Sequence, residues 1–302
     1  MPTGKLGILE GYPKRLKERI EKRNAKRVRL GSAVPRFRLV MENVKLWRVG
    51  TLTVSFKGGK PELHKLIADT ASEWSKHCNI IFDFGYNTKT KKYRKWIKGD
   101  KSHIRIGFDQ EGYWSLLGTE SQDTDLAKPG EITLNLEAFD MELPDNWKFV
   151  ILHEFGHALG FHHEHQSPVS DCDFNWPYLY EQLGGPPNNW DKETVDFNMK
   201  EMRPRGLTYS AHDKASIMHY SFDSSYFIAG KKSPCYTKES KALSKEDKAM
   251  AAKAYPFKAG QVKKMDTKRI KDLETLHSKP EIDPATKKFI SKNLSYYKKN
   301  AG

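Results

Sequence analysis

His153-Glu154-Phe155-Gly156-His157-Ala158-Leu159-Gly160-Phe161-His162-His163-Glu164 is the most informative stretch of the 302 residues. On a helix, positions four apart share a face, so His153 and His157 present their imidazoles on one side. Glu154 sits beside the first of them, where its carboxylate reaches a metal-held water and takes its proton. A third ligand cannot come from much farther along the same helix, because the face rotates away. Gly160 answers this, since glycine adopts the left-handed conformation that ends a helix and turns the chain. His163 then returns from the far side. Three protein ligands leave the fourth position of a tetrahedral zinc open for water, which is the arrangement of a catalytic rather than a structural site. One catalytic Zn2+ is the expected cofactor.

A bare His-Glu-x-x-His also arises on amphipathic helices whose histidines are merely solvated or hydrogen-bonded. Gly160 and His163 lengthen the match beyond that reading, and a second element, Ser216-Ile217-Met218-His219-Tyr220, follows downstream. A third ligand taken from a downstream glutamate, with Glu181 as the candidate, leaves Gly160, His163 and the 216–220 string unexplained.

At these residues the chain resembles the astacin family of metzincin zinc endopeptidases. The family's helix motif ends in Gly-Phe-x-His-Glu, matched by Gly160 to Glu164, and its Met-turn reads Ser-x-Met-His-Tyr, matched by residues 216–220. The related serralysins place proline after the third histidine, where this chain has Glu164. The resemblance covers positions 37 to 256 and implies a role for each matched residue. His153, His157 and His163 bind zinc, and Glu154 is the general base. Tyr220 is a weaker zinc ligand that swings out to hydrogen-bond the oxyanion, and Met218 floors the site. Glu164 helps anchor a mature N-terminus. His162, His165 and His219 fall at no ligand position and are expected as hydrogen-bond partners behind the ligands or as surface histidines. Protein or peptide is the implied substrate, and the enzyme is expected to be a monomer.

Around the motifs the patterning predicts strands at 51–56, 79–84, 103–108 and 131–136, with a helix from Pro61 to Lys76. This order agrees with the fold that the resemblance implies, an α+β, metzincin zincin-like fold: an upper domain with a twisted mixed sheet and the zinc helix, above a loop-rich lower domain carrying the Met-turn. The strand at 131–136, just before the zinc helix, is expected to border the cleft and pair with extended peptide. The lower domain, 166–256, is expected to be loop-rich through Gly184-Gly185-Pro186-Pro187 and to close with a helix over Ser244 to Ala254.

Charge concentrates at the ends. Residues 1–38 carry 12 Lys and Arg against 3 Asp and Glu, and 257–302 carry 12 against 5, whereas the 218 residues between carry 28 against 30. The division expected is a basic N-terminal segment (1–36, a candidate prosegment), a catalytic domain (37–256) and a basic tail (257–302). Charge runs of this kind are most often solvated, weakly ordered ends; the sharper reading is attachment to an anionic surface. No aromatic-interleaved pattern accompanies them, which argues against sequence-specific nucleic-acid binding.

Three cysteines do not make a disulfide framework. Cys172 and Cys235 can pair, leaving Cys78 as a buried thiol, and three free thiols account for the count equally well. The segment from Met1 to Leu9 has no signal-peptide pattern, and no apolar run of about twenty residues is present to span a membrane. A cytoplasmic location or export without a cleaved signal is therefore expected. The Phe-x-Gly-Asp string that blocks zinc in family zymogens is absent; Phe56-Lys57-Gly58-Gly59 is the nearest. Besides an active endopeptidase, a zinc-bound pseudoenzyme and a surface-binding protein acting through its basic ends are the other function classes; intact Glu154 and Tyr220 favour the enzyme.

Overall fold

Five strands form one sheet in the order β2-β1-β3-β5-β4, with β1 at Gly50–Phe56, β2 at Ile80–Asp83, β3 at Ile104–Gly107, β4 at Tyr113–Ser115 and β5 at Leu134–Leu136. The structure is a computed structural model and describes residues 12–33, 44–186, 188–202 and 210–300. β1 runs parallel to β2 and β3, β3 runs parallel to β5, and β4 alone is antiparallel, against β5. Parallel strands need both faces covered, and Val54, Ile80, Ile104, Ile106, Leu134 and Leu136 are all buried.

The cover on one face is a pair of helices, α2 (Pro61–Ser75) and α3 (Trp147–Ala158). Proline at the start of α2 suits a position whose N–H has no helical partner. Ile67, Ala71 and Trp74 of α2 meet Ile151, Leu152 and Phe155 of α3 in one core with the sheet. Each such large apolar side chain contributes roughly 1.5–3 kcal/mol on full burial. The Trp74 indole N–H also donates to the Leu152 carbonyl at 2.9 Å, which fixes α3 against α2. Cys78 lies in this core, 1% exposed, and burial pushes its thiol up to about 11.

One expectation about the sheet is overturned. The 131–136 segment was expected to border the cleft, but β5 is interior, between β3 and β4. The edge belongs to β4, whose three residues, Tyr-Trp-Ser, are too few for an alternating pattern to register.

The lower half is less loop-rich than its composition suggests. Helices α4 (Trp176–Gly184) and α5 (Lys192–Met199) are capped by Asn175 and Asp191, whose side chains accept from Tyr178 N–H and Thr194 N–H. They pack Leu179, Leu183, Val195 and Met199 with Tyr220, Phe222 and Tyr226 into a second core. Cys172 and Cys235 are joined there by a disulfide. Helix α6 (Lys245–Ala254) closes this half as expected, with Ser244 as its cap. Pro187 of the glycine-proline loop lies outside the described residues.

The basic ends are not solvated arms where they are described. Helix α1 (Lys14–Ala33) docks Leu16 and Ile20 onto Trp114, Leu116, Leu126 and Ile132. Arg19 pairs with Glu131 at 2.7 Å, and Arg23 pairs with Glu120 at 2.6 Å, so acids of the near-neutral middle section answer part of this segment's charge. The Tyr12 hydroxyl donates to Ser115 O on β4 at 2.9 Å. At the other end, α7 (Ala259–His277) and α8 (Pro284–Asn300) bury Leu273, Leu276, Ile290 and Tyr297 together with Val44. Arg48 bonds Asp266 at 2.9 Å, tying α7 to the chain just before β1. Residues 1–11, and the expected boundary at 36/37, lie outside the described residues. No described helix is long and apolar enough to cross a membrane.

Candidate metal centre

His153 and His157 project from α3, and each is held through Nδ1. The His153 Nδ1–H donates to Ile217 O and the His157 Nδ1–H to Phe161 O, both at 2.7 Å. A carbonyl oxygen only accepts, so these contacts place a proton on each Nδ1 and turn Nε2 inward as the atom able to bind a metal. His163 follows the same logic through a side chain: its Nδ1 lies 3.3 Å from Gln166 Oε1. The Gln166 amide nitrogen donates to Phe197 O at 2.9 Å and Lys200 O at 3.2 Å, which turns the amide oxygen toward His163.

The three Nε2 atoms converge. His157 Nε2 lies 3.1 Å from His153 Nε2 and 3.1 Å from His163 Nε2. Lone pairs brought this close repel unless a cation sits among them. Two imidazole ligands of a tetrahedral zinc, at 2.0–2.1 Å from the metal, stand about 3.3–3.4 Å apart. The donor set therefore fits one such ion. The exposed Glu181 is not in the group.

Glycine shapes the centre twice. Gly160 has φ +97°, and a Cβ there would lie 3.0 Å from Leu46 Cδ2, so the turn that brings His163 back admits no side chain without strain. Gly156, inside α3, faces the floor of the site: a Cβ would lie 2.3 Å from the Met218 sulfur and 3.2 Å from the Trp74 ring. Glycine in a helix interior costs about 1 kcal/mol relative to alanine, and that local misfit was the readable signal for a close approach here.

The Met-turn is fixed from below by Asp247. Its carboxylate accepts from the Ser216 hydroxyl at 2.7 Å and from Ile217 N–H at 2.8 Å. The same Ile217 supplies the carbonyl that holds His153. Tyr220, 6% exposed, lies nearly parallel to the His153 ring at 5.4 Å between centroids and 4.4 Å from the His163 ring. His165, fully buried, stacks under Tyr220 at 5.1 Å, and burial holds its pKa well below the usual value, so it is neutral. His165 and His219, expected behind the ligands or at the surface, are both buried, and His162 is partly exposed. Glu154 is 2% exposed, one residue along α3 from His153.

Glu164 belongs to a separate space. A cavity of about 510 Å³ is lined by Glu164, Asp213 and Asp247 on one side and by Met265, Lys268 and Arg269 of α7 on another; of the histidine triad only His163 reaches it. Burial, with Asp213, Asp247 and Glu246 nearby, pushes the Glu164 carboxyl from 4.5 up to about 7, against the lowering effect of the Asp213 N–H. An acid whose native pKa is raised binds more protons folded than unfolded. The Glu164 contribution to stability therefore falls as pH rises from about 4.5 to about 7 and is constant outside that window, by at most about 3 kcal/mol. In zinc-free protein, Glu164→Gln is expected to flatten this slope in denaturant midpoints measured across pH. A wild type that gains stability relative to the variant over that window overturns the assignment.

No protein-family model matches the chain. Two Caenorhabditis elegans proteins are similar to it in part. Zinc metalloproteinase nas-2 is 29% identical over 140 residues, 45% of this chain and 42% of that protein. Zinc metalloproteinase nas-26 is 35% identical over 75 residues, 24% of this chain and 17% of that protein. The chain thus spans less than half the length of these curated relatives. The solved structure of myroilysin aligns with a TM-score of 0.60 and 33% identity, covering 71% of this chain and 97% of that one. A likeness that runs through nearly all of a solved relative reaches well past the two motifs, and the chain belongs to the astacin family of metzincin zinc metallopeptidases.

Proposed function

We propose that this protein is a zinc-dependent endopeptidase, with His153, His157 and His163 holding the ion, Glu154 as general base and Tyr220 as oxyanion donor. The observation that carries the reading is the meeting of three Nε2 lone pairs, each set by a hydrogen bond on the opposite ring nitrogen. Zinc, when bound, polarises the scissile carbonyl and lowers the pKa of water toward neutrality. Glu154 takes the proton of the attacking water and passes it to the leaving amine. Its near-complete burial keeps bulk water from competing for that proton. Tyr220 donates its hydroxyl to the charge that develops on the carbonyl oxygen, an interaction realised only in the transition state. Extended peptide would add to the sheet at β4, the edge strand, main chain to main chain. Exposed lysines such as Lys263, Lys264 and Lys271 on α7 make an anionic surface a secondary partner in this reading, with the chain acting as a monomer.

Zinc-loaded protein and Glu154→Ala, incubated with an unbiased peptide library, test the proposal. Internal cleavage by the wild type alone supports it and reports the side-chain preferences around the cut. No cleavage by wild type with zinc bound favours the pseudoenzyme reading. Tyr220→Phe is expected to lower kcat about 10²-fold with KM little changed, the scale for one oxyanion donor; an unchanged kcat makes Tyr220 a packing residue only.

A further inference from the structure

A second group of metal-type ligands lies on the far side of the Met-turn. His212 Nε2 and His219 Nε2 are 3.1 Å apart, and Cys235 Sγ is 4.0 Å from His212 Nε2. The donor atoms of all three residues lie within 4.8 Å of one another. The His219 Nδ1–H donates to Tyr220 O at 2.7 Å, so its Nε2 is an acceptor aimed at His212. Cys172 is bonded to Cys235, so a second sulfur adjoins the group. Two sulfurs and two imidazoles are the donor set of a closed, four-coordinate zinc site. Zinc–nitrogen and zinc–sulfur distances of about 2.0 and 2.3 Å require donor separations near 3.3–3.8 Å, close to the 3.1 and 4.0 Å found among His212, His219 and Cys235, while the two sulfurs must part by about 2 Å once unbonded.

As long as the sulfurs are bonded to each other, neither is a thiolate and the set is incomplete. We propose that reduction of the Cys172–Cys235 disulfide turns this corner into a second zinc site, formed by Cys172, Cys235, His212 and His219. Two electrons from a reductant such as a water-soluble phosphine break the sulfur–sulfur bond, and the phosphine leaves as its oxide with oxygen from water. Two protons give two thiols. Zinc binding then releases both protons as the thiolates coordinate. Metal and disulfide exclude one another, and the ion held at this corner reports the redox state of its surroundings.

The corner stays assembled without the disulfide. Asp173, next to Cys172, accepts from Ala229 N–H at 2.6 Å and from the Ser233 hydroxyl, while Ile228 N–H donates to Asp173 O at 2.8 Å. Phe174 and Phe227 form a β-bridge just beyond. Lys214 Nζ donates to Ser233 O at 2.9 Å, joining the His212 segment to the Cys235 loop. Cys235 and His219 are buried, whereas Cys172 and His212 are partly exposed and give an ion its way in.

Full-length protein dialysed against zinc, with and without tris(carboxyethyl)phosphine, decides the matter by metal content. One additional equivalent on reduction is expected, along with thiolate-to-metal charge-transfer absorption when cobalt replaces zinc. His212→Ala, which keeps both cysteines, should lose that increment. The reading is a difference between two states of one protein, so failure of the His153 centre lowers both counts and leaves the difference intact. Equal metal content in the two states overturns the proposal. So does an increment that persists in His212→Ala, cobalt bound without the charge-transfer band, or loss of near-UV circular dichroism on reduction.

Discussion

Glu154→Ala is expected to abolish peptide hydrolysis while the protein keeps its zinc. The two halves of this expectation rest on different contacts. The histidines are fixed through Nδ1 by Ile217 O, Phe161 O and Gln166, none of which involves the Glu154 carboxylate. Truncating it therefore leaves the Nε2 convergence in place. In the proposed mechanism, what disappears is the acid that takes a proton from water and returns it to the amine. General acid–base catalysis contributes typically ~10²–10⁴-fold, and in that mechanism Glu154 serves both transfers, so kcat/KM is expected to fall by at least about 10³-fold. Zinc content measured on the same sample distinguishes lost chemistry from lost metal. Zinc-loaded variant retaining more than about a tenth of the activity, far above that scale, would remove Glu154 from the mechanism.

How much of this was legible in the chain depends on the range over which each feature is encoded. The triad was legible because it is nearly local: two histidines four apart, a glycine to end the helix, and a third histidine three residues on. The support for those ligands was not, since it comes from elsewhere in the chain. Gln166 orients His163 only because Phe197 O and Lys200 O, more than thirty residues away, hold its amide. Gly156 was readable as a glycine in a helix, but its reason, the Met218 sulfur, arrives from sixty residues downstream. Edge strand β4 is not legible because three residues carry no periodicity, and β5 is interior rather than at the edge because strand order along the chain does not fix strand order in the sheet. The flanks show a different failure. Their charge reads as solvation, yet Leu16 and Ile20 on α1 sit at helical spacing and bury against Trp114 and Leu116, and Leu273 and Leu276 on α7 bury against α8 and Val44.

The second large effect is expected at Asp247, far from any reacting atom. It occupies the third position of α6, where a carboxylate closes a capping box: Asp247 N–H donates to Ser244 Oγ at 2.9 Å, and Ser244 N–H donates back to Asp247 Oδ2 at 2.8 Å. The same carboxylate accepts from Ser216 and Ile217 of the Met-turn, and Ile217 O receives the His153 imidazole. One side chain thus joins a helix cap to a metal ligand. Burial pushes its carboxyl above the ordinary value despite these donors, so the charge is held against desolvation and the donors offset only part of that. Asp247→Ala leaves buried donors without their acceptor, at roughly 1–3 kcal/mol each. A loss on the order of 4 kcal/mol is expected, or a fall in Tm of about 10 °C for a chain of this size. A cap alone would account for only about 1 kcal/mol, so the excess measures the tie to the Met-turn. That tie also predicts weaker metal binding by the folded variant, about 10-fold, as when support behind a ligating histidine is lost. Asp247→Asn keeps one acceptor and should show a smaller loss of both. If Asp247→Ala melts within about 2 °C of wild type, or loses stability without losing zinc affinity, the Met-turn holds its shape by packing, and the route from the α6 cap to His153 carries no energy.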